Sequence, residues 1–312
     1  MKTINGTILK ITAGKVDKGF KAEISASKNV KNIRWNVVDS KASVKMEGIA
    51  DSAAISAVFD ASPWSVENPV LYTFNAMVTY ESGETEEISD RFGFRWFETD
   101  EKYIYLNGFP FYMRAYIRGA AAHEHQNNCN LSEFEFYKKN IRMAKSYGFN
   151  TIRFHSVIPP EECFRAADEE GILIHIEMRK ENDDYNNLQE MLYGKNDFVT
   201  DEALLEIINS LYNHPSFMVY CIGNEIREPG KKPRVKEIGE FIRKILDFFK
   251  SHWRENMYLH FEIFPDTENM TVTALILMFS IWDISSLTEN TAICSVIQIT
   301  FFASVLLITV KW

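Results

Sequence analysis

The sequence predicts two consecutive folds: an all-β immunoglobulin-like sandwich, then an α/β domain of (β/α)8 TIM-barrel type that is incomplete. Three observations predict this. Residues 1–99 carry short β-branched and aromatic runs separated by Asn, Gly, Ser and Asp. From about residue 100 short apolar strands alternate with amphipathic helices, the pattern of a parallel sheet. After about residue 255 that alternation stops.

In the first region, AEISASKNVKNIRWNVVD, KASVKMEGIADSAAISAVFD and VLYTFNAMVTYESG imply six or seven strands, the count of a small sandwich. PWSVENPVLYTF, between Pro63 and Phe74, reads as an aromatic-anchored loop packing on that sandwich. RFGFRWF implies a strand over 92–97, and an Asn107-Gly108 pair between apolar runs is a hairpin signal. The domain boundary falls near residue 100.

In the second region, PFYMRAY reads as a strand. Residues 132–148 read as a helix with Phe136, Ile141, Ala144 and Tyr147 near one face. Ser132 and Glu135 match a capping box, and Gly148 suits the C-terminal cap. NTIRFHSV, ILIHIEM and SFMVYCIG read as strands. PPEECFRAADEEG, DEALLEIINSLYN and RVKEIGEFIRKILDFFKSHW read as the intervening helices. No Gly-x-Gly-x-x-Gly or P-loop is present, which favours a barrel over an open nucleotide-binding sheet.

The tail, 256–312, differs. TAICSVIQITFFASVLLITV (291–310) is 20 uncharged residues, the length of a bilayer span, although its Ser, Thr and Gln content makes it a mediocre one. A buried β segment and a shifted or interrupted reading frame are the competing expectations. The first 15 residues hold no signal-peptide core, so the expected location is cytoplasmic.

The 312 residues carry 34 Lys and Arg against 43 Asp and Glu, a formal charge of −9 that disfavours nucleic acid and anionic membranes. The four cysteines, Cys129, Cys163, Cys221 and Cys294, show no Cys-x-x-Cys pattern, so free buried thiols are expected rather than a metal site or disulfide framework. No cofactor is implied.

In a parallel barrel the carboxyl ends of the strands form the active face. Three predicted strand ends carry polar groups there: Arg153 and His155, then Glu177, then Asn224 and Glu225. Each alone has a plain structural explanation, since Asn-Glu after a strand is also a helix-capping pattern. Together they converge on one mouth. A partly desolvated carboxyl group there has a raised pKa and can protonate a departing sugar oxygen.

The chain resembles glycoside hydrolase family 2, the β-galactosidase and β-glucuronidase family. The similar text is PWSVENPVLYTF, RFGFRWFE, YLNGFPFYMRAY, YGFNTIRFHSVIPPEECFRAADEEGILIHIE and NHPSFMVYCIGNE. The resemblance implies hydrolysis of β-linked oligosaccharides or glycosides with retained anomeric configuration. It assigns Glu225 as acid/base and Asn224 as its sugar-binding neighbour, with Arg153, His155 and Glu177 in the substrate pocket. The family's nucleophile is not identifiable. Glu262 comes too early, and Glu289 stands in an unfamiliar context. The expectation is therefore a glycosidase by descent, inactive if truncated. A non-catalytic carbohydrate-binding or interaction module is the alternative, and oligomerisation is left open.

Overall fold

The computed structural model describes residues 2–4, 6–99, 103–118, 130–155, 157–177, 209–226, 258–263 and 275–280. Eight strands, β1 (Lys2–Ile4), β2 (Thr7–Ala13), β3 (Phe20–Ser25), β4 (Val30–Asp39), β5 (Val44–Ala50), β6 (Ala54–Ala57), β7 (Tyr72–Tyr80) and β8 (Thr85–Phe92), form two antiparallel four-stranded sheets. Their orders are β1-β2-β3-β6 and β5-β4-β7-β8. This is the predicted sandwich, with eight strands where six or seven were expected. Alternation drives it: every second residue of β2 and of β7 is buried, so each strand turns one face to the opposite sheet.

Leu9, Ile11, Phe20, Ile24, Ile33, Trp35, Phe74 and Val78 fill the layer between the sheets. Phe20 sits at its centre, with ring centroids 6.1 Å from Trp35, 5.9 Å from Phe74 and 5.5 Å from Phe92. Such tilted and edge-on pairs add to the area burial of aromatic residues. Gly19, at φ 70°, brings the chain into β3 so closely that an added Cβ would lie 2.1 Å from the Ala57 carbonyl oxygen.

The strand expected over 92–97 is broken. β8 ends at Phe92, and β9 (Phe97–Thr99) joins β10 (Ile104–Leu106) and β11 (Phe109–Phe111) in a separate three-stranded sheet. The cause is a close approach at Gly93, where a Cβ would meet Trp64 Cβ at 2.9 Å and Pro215 Cγ at 3.1 Å. The hairpin between β10 and β11 turns at Asn107 (φ 56°) and Gly108 (φ 81°), the paired positive dihedrals that an Asn-Gly turn supplies.

Across this junction the sandwich meets the second domain. Trp64 is fully buried, not on the sandwich as its sequence context suggests, but in a cluster with Val66, Phe97, Leu106, Leu173, Met218 and Val219. Its indole Nε1–H donates to the Asp168 carbonyl at 2.8 Å, and its own carbonyl accepts from Asn107 Nδ2 at 2.9 Å. Arg91 of β8 pairs with Glu169 at 2.5 Å, and Lys138 meets the same carboxylate at 2.9 Å. A β-sandwich strand and two helices are thus joined through one half-buried charge cluster.

The second domain is built on a six-stranded sheet in sequential order: β12 (Ala115–Arg118), β13 (Thr151–Phe154), β14 (Leu173–Glu177), β15 (Phe217–Ile226), β16 (Tyr258–Ile263) and β17 (Leu275–Ser280). The pairings from β12 to β16 are parallel, as expected of a barrel wall. β17 runs antiparallel to β16, which departs from barrel topology. PFYMRAY is divided between β11 and β12 rather than forming one strand.

Helix α1 (Glu133–Ser146) lies between β12 and β13, and α2 (Glu161–Glu170) lies between β13 and β14. The Ser132 hydroxyl accepts from the Glu135 N–H at 3.3 Å, and Gly148 follows α1 with φ 86°, as the capping signals predicted. The buried face of α1 is Tyr137, Ile141 and Ala144, a regular i, i+4, i+7 spacing. The expected Phe136 and Tyr147 lie off that spacing, and Tyr147 is 76% exposed. α2 stops at Gly171, left-handed at φ 73° and packed under the Val66 carbonyl.

Of the helix expected over 201–213, residues 209–213 are described: 209–211 are helical, and 212–213 already form a turn. The helix expected over 234–253 and the apolar run 291–310 lie outside the described residues. Among the described residues no helix is long and apolar enough to cross a membrane. Cys163 is a buried free thiol, as expected, and Cys221 is buried too, while Cys129 and Cys294 lie outside the described residues.

Candidate active site

Two of the strands that carry candidate residues, β13 and β14, are buried on both faces. Every residue of β13 and of β14 is buried, as a barrel wall enclosed by helices requires. Strand alternation therefore decides which side chains face one another. Thr151 and Arg153 share one face of β13, and Leu173, His175 and Glu177 share one face of β14. The parallel register sets Arg153 directly beside His175.

From there Arg153 reaches forward. Its Nη2 donates to Glu177 Oε2 at 3.3 Å, with side-chain exposures of 8% and 0%. A carboxylate removed that completely from water needs a facing cation to remain charged. Arg153 and Glu177 are thus brought together inside the sheet's enclosed face rather than on its rim.

His155 follows the last residue of β13 and is partly exposed. Its backbone N–H donates to the Arg118 carbonyl at 2.8 Å, continuing the β12–β13 ladder one step past the strand end. The Glu177 N–H points to the Val157 carbonyl at 3.5 Å, which holds the loop after β13 against the end of β14. His155 and Glu177 consequently lie at adjacent strand ends.

Asn224 and Glu225 belong to the last stretch of β15. Cys221 pairs with Glu177, so the two residues follow that level by three and four positions along the strand. On the other side Gly223 pairs with Phe261, and Ile226 with Ile263. Glu225 therefore lies, by its backbone position, one residue before the carboxyl end of β15, the strand that follows β14 in the sheet. Glu262 is in β16, opposite Ile276 of β17. Glu289 lies outside the described residues.

Two features escaped the sequence reading. His175 is buried beside Arg153, and the alternation Leu173-His175-Glu177 would have flagged it. Asp168, also buried, accepts from the Ser216 N–H at 3.0 Å and meets His214 Nδ1 at 2.6 Å. Burial alone would raise the Asp168 pKa. The charge of His214 and the hydrogen bonds from His214 and Ser216 outweigh it and hold the carboxyl below its ordinary value. Nothing in FRAADEE marks that residue in advance. Among the described residues no group of three or more His, Cys, Asp or Glu is arranged to hold a metal ion.

Family comparisons agree with this architecture. The model for glycosyl hydrolases family 2 matches residues 4–95, and the model for that family's TIM barrel domain matches residues 97–292. The chain belongs to glycosyl hydrolase family 2.

This family 2 chain is 28% identical over 235 residues to a putative β-glucuronidase of Formosa agariphila, covering 70% of this chain and 27% of that protein. It is 27% identical over 175 residues to the β-galactosidase BgaC of Bifidobacterium adolescentis, covering 53% of this chain and 16% of that protein. The family 2 chain thus spans about a quarter or less of these relatives. Among solved structures, the β-D-glucuronidase of Dictyoglomus thermophilum superposes with a TM-score of 0.62 at 19% identity, covering 84% of this chain and 44% of the other. The β-glucuronidase of Parabacteroides merdae gives 0.61 at 18% identity, covering 83% and 33%. At such identities these superpositions speak for the fold alone.

Proposed function

We propose that this chain supplies the acid/base half of a retaining β-glycoside hydrolase site. Glu225 is the proton donor, Asn224 its sugar-binding neighbour, Arg153 and His155 line the pocket, and Glu177 completes it. The observation that carries the reading is the parallel register of β13, β14 and β15. What supports it is that polar residues sit at or beside the carboxyl ends of adjacent parallel strands of one sheet: His155 just after β13, Glu177 closing β14, and Glu225 in the last stretch of β15.

The chemistry follows from that position. Cleavage of a glycosidic bond leaves charge on the departing oxygen, and a carboxylic acid beside it delivers the proton as the bond breaks. The same group, now a carboxylate, then takes a proton from the incoming water. Asn224, one residue earlier, is suited to hydrogen-bond a ring hydroxyl. Glu177 is held by Arg153 inside the wall, so we assign it to shaping the pocket electrostatically rather than to proton transfer.

Retention of configuration needs a second carboxylate ~5–5.5 Å from the first. The substrate class is a β-glycoside. The relatives' names include both glucuronidase and galactosidase, and Arg153, already paired with Glu177, does not choose between a uronate and a galactoside.

The test is hydrolysis of nitrophenyl β-D-glucuronide and β-D-galactoside by the purified chain and by Glu225→Gln. The substitution should lower turnover by roughly 10²–10⁴-fold, the usual contribution of a positioned acid/base. Measurable turnover in the purified chain that the variant leaves unchanged would remove Glu225 from the role.

A further inference from the structure

The segment that feeds β15 is tied at every residue to something outside its own sheet. Tyr212 OH meets Thr12 Oγ1 of β2 at 2.7 Å, and Lys10 Nζ lies 4.2 Å from the centre of its ring. Pro215 lies against Gly93, the Ser216 N–H binds Asp168, and the Phe217 carbonyl accepts from Arg95 Nη2.

Asn213 holds the most specific of these contacts. It is 2% exposed, and its amide makes three bonds to the sandwich. Oδ1 accepts from the Ile11 N–H at 2.9 Å. Nδ2 donates to the Leu9 carbonyl at 3.3 Å and to Asp90 Oδ2 at 2.6 Å. The pairing of β1 with β2 extends only from Thr7 to Leu9. Next to Leu9, the Asn213 amide takes the place of a neighbouring peptide group, giving one acceptor and one donor to β2.

β15 needs such an anchor. Its ladder with β14 shifts register between Ile174 and His175, and its ladder with β16 shifts twice, between Cys221 and Gly223 and between Gly223 and Ile226. Each shift fixes a local offset between strands, so the level at which β15 enters the sheet sets where its far end arrives. A slip of one residue would turn every side chain to the other face.

We infer that Asn213 is a positioning residue: by closing the edge of β2 it sets the register of β15, and hence where Asn224 and Glu225 arrive at the sheet's far end. This rests on the assignment of Glu225 above. Asparagine alone fits. Aspartate would press a carboxylate against Asp90 and the Leu9 carbonyl, and leucine would leave the Ile11 N–H and Leu9 carbonyl without their partner in the interior.

The test is hydrogen exchange on the full chain for wild type, Asn213→Asp, Asp90→Asn and the double variant. In Asn213→Asp, exchange in peptides covering 217–226 should rise about tenfold while β4 and β7 stay unchanged, the behaviour of a local opening. The double variant restores a donor at position 90 facing an acceptor at 213, and should recover at least half of that change on a logarithmic scale. Exchange over 217–226 equal to wild type, a rise spread uniformly through the chain, or no recovery in the double variant would each overturn the inference. Failure of the Glu225 assignment is separate: it appears as unaltered hydrolysis in Glu225→Gln, whatever the exchange data show.

Discussion

The junction between sandwich and barrel should depend on Trp64 more than on any single charge. Its side chain is fully buried among Val66, Phe97, Leu106, Leu173, Met218 and Val219, and its indole N–H satisfies the Asp168 carbonyl. Trp64→Ala removes the ring and leaves both a cavity and that carbonyl unbonded. Core truncations of this size remove about 3–5 kcal/mol, and an orphaned buried acceptor about 1–3 kcal/mol, with incomplete additivity. Trp64→Phe keeps most of the packing and loses the hydrogen bond, so about 2 kcal/mol is expected for it and about 4 kcal/mol or more for alanine. Urea unfolding followed by circular dichroism reads both, because a shift in midpoint at constant slope is a change in stability. A loss under about 1 kcal/mol for Trp64→Ala would refute the placement of the ring in a packed junction. Equal losses for the two variants would assign the effect to the hydrogen bond and refute the packing argument.

Two further outcomes follow from the buried charges. Arg153→Ala removes the cation facing a fully buried carboxylate and should destabilise by about 3–5 kcal/mol, whereas Arg153→Ala with Glu177→Gln should recover at least half of that; a double-mutant coupling near zero would refute the pairing. Acid should weaken the chain through Asp168 and Glu169. Burial opposes ionisation of each, but His214 and Ser216 at Asp168, and Lys138 and Arg91 at Glu169, outweigh it and leave both pKa values lowered in the fold. A depressed native pKa stabilises above the ordinary carboxylate value of about 4, and that contribution disappears as pH falls through the native value. Urea midpoints should therefore decline below about pH 4, and Asp168→Asn should make the decline shallower; an identical pH slope in the variant would refute the contribution.

What could be read in advance was what depends on local period and local chemistry. Alternation exposed the sandwich, Asn107-Gly108 exposed the hairpin, and Ser132 with Glu135 and Gly148 exposed both ends of α1. The helix face was read one position off, because Phe136 and Tyr137 are both aromatic and only packing selects the one in phase with Ile141 and Ala144. The break at 93–96 was not legible. It arises from a close approach of Gly93 to Trp64 and Pro215, residues distant in the chain that meet only after folding.

The same division runs through the candidate site. Polar residues at strand ends are visible in a sequence because an apolar run stops at them, which is how Arg153, His155, Glu177, Asn224 and Glu225 were found. What holds them is invisible there. NHPS, before β15, reads as a helix stop and a turn. In the fold its asparagine completes the edge of a strand about 200 positions earlier, and its histidine and serine both meet Asp168. Local signals report where a functional group is carried; long-range hydrogen bonds report how firmly it is aimed. We assign the placement of β15, whose ladders shift register on both sides, to the second kind. If Asn213 sets the level of β15 as we infer, a barrel half expressed without residues 1–99 should show faster hydrogen exchange over 217–226 than the full chain, and equal exchange would refute the coupling.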